Sequence, residues 1–182
     1  DAIDVKNPDC VGQALMIADM LVANDTKHSG DPHFDDSAKN LLQGLILLAA
    51  ADPDKEVRNI VSVRQMLTLP ESKFMALMEG AIGHPAAFDI ISRCAAKITG
   101  TPERERGSII STAQRHTAFL DDPRIAETLS GSDFDISKIK QENMSVYLVL
   151  PSDKLKINRS FIRVFFGLAL SAMTATQGRP SE

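Results

Sequence analysis

Apolar residues recur along most of this chain at the three-to-four spacing of amphipathic helices, and Pro, Gly, Asp and Asn divide them into elements. A first helix starts at Asn7-Pro8-Asp9 and lines Val11, Ala14, Leu15, Ala18, Leu21 and Val22 along one stripe. After a polar loop from Ala23 to His33 comes the most apolar helix, capped by Asp35, Asp36 or Ser37 and ending near Ala51. Leu41 to Ala51 is apolar nearly all round, which predicts a helix enclosed by neighbours. Asp52-Pro53-Asp54 breaks it. Ile60, Val63, Met66 and Leu67 mark a short helix ended by Pro70, and Pro70 starts another with Phe74, Leu77, Met78 and Ile82 inward and Gly83 as its stop. Pro85 opens a further helix with Phe88, Ile91, Cys94, Ala95 and Ile98 inward, closed by Gly100.

A helix from Thr101 to Leu120 follows, with Thr101 as N-cap, Pro102 in the first position and Ile109, Ile110, Ala113, Phe119 and Leu120 on its buried stripe. Asp121-Asp122-Pro123 ends it and caps a short helix from Pro123 to Leu129. The pattern then changes. Residues 144–150 form a near-continuous apolar, β-branched run, which predicts a strand buried on both faces. A lone strand cannot satisfy its own backbone groups, so it needs partners that this chain scarcely supplies. The last element, about 157–176, is a helix with Phe161, Val164, Phe165, Leu168 and Ala172 on one face. The fold class expected is mainly α: an all-α domain over residues 32–130, flanked by 1–31, with a helix at about 9–22, and by 131–182, with the strand and the last helix.

Composition sharpens this picture. Among 182 residues only 5% are aromatic and none is Trp, so the core is built from Leu, Ile, Val, Ala and Met. The net charge of −4 gives no whole-chain reason to bind nucleic acid. Its distribution is uneven: residues 1–56 hold eleven acids against four bases, and residues 57–182 hold thirteen against sixteen. One surface therefore repels phosphate while another tolerates it. Cys10 and Cys94 have no CxxC spacing, which suits a reduced, cytosolic chain. No apolar run approaches the roughly 18 residues that cross a bilayer. A start at Asp1 without Met suggests a piece of something longer, with any membrane anchor outside it.

Candidate chemistry is sparse. His28, Asp31, His33, Asp35 and Asp36 offer metal-ligand types but no ligand spacing, and the two last serve better as caps. Ser111 and His116 lie five apart on one helix and diverge, which argues against a hydrolytic triad with Asp121. Cys94 on an apolar stripe reads as core. The best candidate site is the basic set Arg93, Lys97, Arg104, Arg106 and Arg115: Arg93 and Lys97 share a helix face, and the next helix brings Arg104 and Arg106 close by. Phosphates of DNA or acids of a partner protein are its natural ligands. Glu103 and Glu105 neutralise part of the set, and no exposed aromatic is expected to interleave for base stacking.

Three stretches in order carry a family resemblance: Asp31 to Leu47 (DPHFDDSAKNLLQGLIL), then Arg106 to Ala113 (RGSIISTA) with Phe119 to Arg124 (FLDDPR), then Ser145 to Leu155 (SVYLVLPSDKL) followed by Arg163. They resemble the TraG/TraD family of type IV secretion coupling proteins, membrane-anchored hexameric RecA-like ATPases of bacterial conjugation and effector export. The resemblance implies that the helical part is the all-α domain inserted in a nucleotide-binding domain, at the cytoplasmic face of the bacterial inner membrane. It implies relaxase or effector proteins, DNA and other hexamer subunits as partners, with no direct membrane contact by this piece. A role as a structural spacer between ATPase subunits is the alternative. It also implies ATP and Mg in the parent protein and no cofactor in this chain. No GxxxxGK[ST] occurs, and residues 144–150 contain no acid, so the chain alone is expected to be catalytically inactive.

Overall fold

The computed structural model describes residues 3–22, 32–131, 134–140, 142 and 144–175. They are mainly α-helical: α1 (Asp9–Val22), α2 (Pro32–Ala51), α3 (Ile60–Leu67), α4 (Glu71–Ala81), α5 (Ile90–Gly100), α6 (Glu103–His116), α7 (Pro123–Ser130) and α8 (Arg159–Ala175). His28 and Asp31 fall outside the described residues.

Helix α2 is the axis of the fold. Leu41, Leu42, Leu45 and Leu47 point to different sides and all are buried, because α1, α3, α5 and α6 each pack against it. Gln43 is buried as well, and its side-chain amide donates to the Val11 carbonyl of α1 at 3.0 Å, so the polar group costs little in the core. Gly44 allows a close approach in this core. A Cβ there would lie 2.2 Å from Cys94 Sγ, so α5 sits against the bare backbone of α2. Helix α8 joins the same core through Phe161, and the Arg163 guanidinium donates to the carbonyls of Met20 and Leu21. Those carbonyls belong to the last turn of α1, which has no intrahelical partners for them.

Several expectations need correction. Helix α2 begins at Pro32, upstream of the expected caps, and Asp35 lies buried in its first turn. Leu15 turns outward and is 43% exposed. Thr101 does not cap α6: its hydroxyl donates to the Lys97 carbonyl at 2.7 Å and closes α5. Helix α6 ends at His116, and Phe119 and Leu120 enter the core from a separate 3₁₀ turn, Ala118–Asp121.

The helix expected from Pro85 starts only at Ile90. Ala87, Phe88 and Asp89 have φ values of 54°, 53° and 63°, a left-handed run that a right-handed helix cannot contain. Phe88, expected inward, is therefore exposed, and so is Ile82, which lies past the end of α4 as its extended C-cap. Residues 144–150 form no strand, since no described segment offers them a ladder. Their exposure alternates: Val146, Leu148 and Leu150 are half-buried, while Tyr147 and Val149 are 85% and 86% exposed. One face packs and the other does not, where two buried faces were expected.

Candidate functional site

The five basic residues singled out from sequence do not form one cluster. Arg93 and Lys97 lie a turn apart on the exposed face of α5, and Arg104 is exposed in the first turn of α6. None of these three makes an ion pair among the described residues. Arg106 is drawn inward: its guanidinium donates to the Thr101 carbonyl at 3.0 Å and pairs with Glu71 of α4 at 3.3 Å. It fastens the α5–α6 corner to α4. Arg115 stands at the far end of α6, 3.5 Å from the buried Asp35 carboxylate.

The free part of the set is thus Arg93, Lys97 and Arg104, spread along α5 and across the corner into α6. Thr101, Lys97 and Arg106 are joined at that corner by hydrogen bonds, which hold the basic stripe on a rigid support. Exposed Glu103 beside Arg104 offsets some of its charge. An exposed aromatic does lie next to α5 in the chain: Phe88 precedes that helix and is 52% exposed. The sequence carried a signal for it, because Asp89 immediately before Ile90-Ile91 is a helix-start pattern that leaves Phe88 outside.

Two polar centres escaped the sequence reading. At one, Asp35 receives His116 Nε2 at 3.3 Å and Arg115 from the side. Burial holds the His116 imidazole below the usual histidine value of 6.5, although the hydrogen bond to Asp35 pulls the other way. His116 thus faces Asp35, while Ser111 is exposed elsewhere on α6.

At the other centre, Arg64 of α3 forks onto Asp121 at 2.8 and 2.5 Å. It also donates to the Gln114 carbonyl at 2.7 Å and to Thr117 Oγ1 at 3.2 Å. The Arg64 hydrogen bonds hold the Asp121 carboxyl below the usual carboxylate range. Cys94, pressed on α2, has its thiol pushed up to about 11 by burial, so it is no nucleophile at neutral pH.

The described residues bring together no group of three or more His, Cys, Asp or Glu able to hold a metal ion, and residues 144–150 carry no acid. No helix among the described residues is long and apolar enough to cross a membrane.

Comparison with known proteins agrees with the resemblance seen in the sequence. The family described as type IV secretory system conjugative DNA transfer matches residues 1–181. A conjugal transfer protein TraG of Escherichia coli is 33% identical over 93% of this chain, and a second is 28% identical over the same share. The type IV secretion system-coupling protein VirD4 of Bartonella quintana is 24% identical over 88% of the chain. The chain spans 28% of the length of either TraG and 25% of that VirD4. No solved structure matches.

Proposed function

This chain belongs to the type IV secretory system conjugative DNA transfer family, and on that premise we propose that its helical part is the cargo-receiving region of a coupling protein. In this reading residues 32–130 are an all-α domain inserted in a RecA-like ATPase at the cytoplasmic face of the bacterial inner membrane. The domain meets the DNA–relaxase complex or protein effectors before transport. ATP and Mg belong to parts of the coupling protein outside this chain. The observation that carries the reading is the stripe of Arg93, Lys97 and Arg104, three exposed cations without an ion pair among the described residues. Cations with a structural duty are drawn into the fold, as Arg64 and Arg106 are; cations left outside are available to a partner.

A second reading, a spacer that packs ATPase subunits together, is favoured by a different observation. Phe166, Leu170 and Met173 of α8 are exposed, as are Tyr147 and Val149, and apolar surface of this kind invites a covering surface. Reversal of charge separates the two. Arg93→Glu, Lys97→Glu and Arg104→Glu together, in the full-length protein, should lower cargo transfer at least about tenfold, equivalent to about 1.4 kcal/mol. ATP turnover should stay unchanged. Unchanged transfer would refute reception at this face, and parallel loss of transfer and turnover would favour the spacer.

A further inference from the structure

Among the described residues Phe88 is an exposed aromatic just before α5, and the backbone there is strained. Ala87, Phe88 and Asp89 lie consecutively in the left-handed region, which side chains other than glycine rarely occupy even singly. The surroundings enforce the turn: Ala87 is buried, its carbonyl accepts from Ile90 N at 3.1 Å, and Ser92 Oγ accepts from Gly83 N at 2.8 Å. That last bond ties the end of α4 to the first turn of α5. Ile82, next to Gly83, is 48% exposed. A right-handed start at Pro85 would have placed Phe88 on the helix stripe with Ile91. The left-handed turn displaces it into solvent, and strained backbone that presents an apolar side chain is characteristic of recognition loops.

We infer that the 82–89 corner and the α5 stripe together form a docking site for an acidic peptide segment of a partner protein that carries one large apolar side chain. Phe88 and Ile82 are the seat for that side chain, and Arg93 and Lys97 meet the acids that flank it. The inference rests on the cargo-receiving reading and names the chemistry of what is received. Charge complementarity selects an acidic ligand. The choice of peptide over single-stranded nucleic acid follows from the apolar residues: one exposed aromatic and one exposed aliphatic offer apolar surface to a single side chain, whereas strands are held by successive aromatic platforms.

The test uses the full-length protein and three fluorescent probes read by anisotropy. They are a short peptide of Glu, Asp and Ser with one central Leu, the same peptide with Ser for Leu, and an oligothymidylate. The Leu peptide should bind about tenfold tighter than the Ser peptide, the scale of one buried apolar anchor. Phe88→Ser should remove that difference and leave the Ser peptide unchanged, while Phe88→Leu restores it; the helical circular dichroism of both variants should match the parent. Absence of peptide binding, or a Phe88→Ser effect on both peptides or on neither, would overturn the inference. So would an oligothymidylate that binds tighter than the Leu peptide and is weakened by Phe88→Ser. Arg93→Glu with Lys97→Glu should weaken both peptides. If that pair leaves both peptides unchanged, the acidic-peptide inference fails, while the transfer assay of the triple charge reversal decides the cargo-receiving reading separately; if it weakens both peptides while Phe88→Ser is silent, the apolar seat fails.

Discussion

Gly44 and Gly167 both sit inside helices against a sulfur atom, yet their replacement should differ in cost. A Cβ at 44 would meet Cys94 Sγ at 2.2 Å and Cys94 Cβ at 2.5 Å, and neither can move without shifting α5. Gly44→Ala should therefore destabilise the protein by about 1–3 kcal/mol, the usual scale of overpacking. A Cβ at 167 would meet the Sδ and Cε of Met20, the free end of a flexible side chain, at 2.4 and 2.5 Å. Met20 can swing aside, so Gly167→Ala should cost at least about 1 kcal/mol less. Urea midpoints with matched slopes would check both.

His116 supplies a pH prediction at the same scale. Its pKa is lower folded than unfolded, chiefly through burial, so the folded state binds the proton less readily. Its contribution to stability is complete above pH 6.5 and is lost as pH falls through the lower folded value. The stability difference between parent and His116→Gln should shrink as pH is lowered from 7 toward 5. A constant difference would show that His116 does not carry the effect. Single residues were the least legible part of the sequence. Arg106 resembled Arg104 in every local respect, and only the fold brings Glu71 to one and leaves the other without an ion pair among the described residues.

At the scale of elements, α2 and the α3–α6 contact govern stability. Leu45 is 1% exposed at the middle of α2, and Leu45→Ala should cost about 2–5 kcal/mol in denaturant unfolding. Arg64 staples α3 to the end of α6 and the turn after it, with its own side chain only 12% exposed. Arg64→Lys keeps the charge but loses the planar fork and should cost about 1–2 kcal/mol. Asp121→Asn should cost less, because that partner is mostly solvated and its pair is screened.

The helices themselves were largely legible, since Val63, Leu67, Phe74, Met78, Ile91, Ala95, Ile98 and Ile109 repeat at the spacing that a buried stripe requires. Their starts were not. Pro85 read as a first helical residue, but tertiary burial of Ala87 set the chain into a left-handed turn and delayed α5 to Ile90. Thr101 had two helices to serve, and its hydroxyl went to the one behind it. Residues 144–150 show a limit of another kind: apolar content predicts that a run will be covered, but not that a ladder partner is present.

On the scale of the whole molecule, the helices from α1 to α8 share one apolar core, with the basic stripe of α5 and the exposed apolar face of α8 as separate surfaces. No GxxxxGK[ST] occurs in the sequence, and this chain by itself is expected to show no micromolar ATP binding in calorimetry. Binding abolished by a substitution within 1–182 would contradict that. The basic set could be named from sequence because charge is local, but its division into a free stripe, a corner clamp and a partner for Asp35 depends on contacts across the fold. The central claim, that the α5 stripe is where cargo touches, is most directly tested by a photo-crosslinking residue in place of Lys97 in the full-length protein, irradiated during active transfer. The account predicts crosslinks to transferred protein or DNA that vanish when cargo is absent; crosslinks only between coupling-protein subunits, unchanged without cargo, would contradict it.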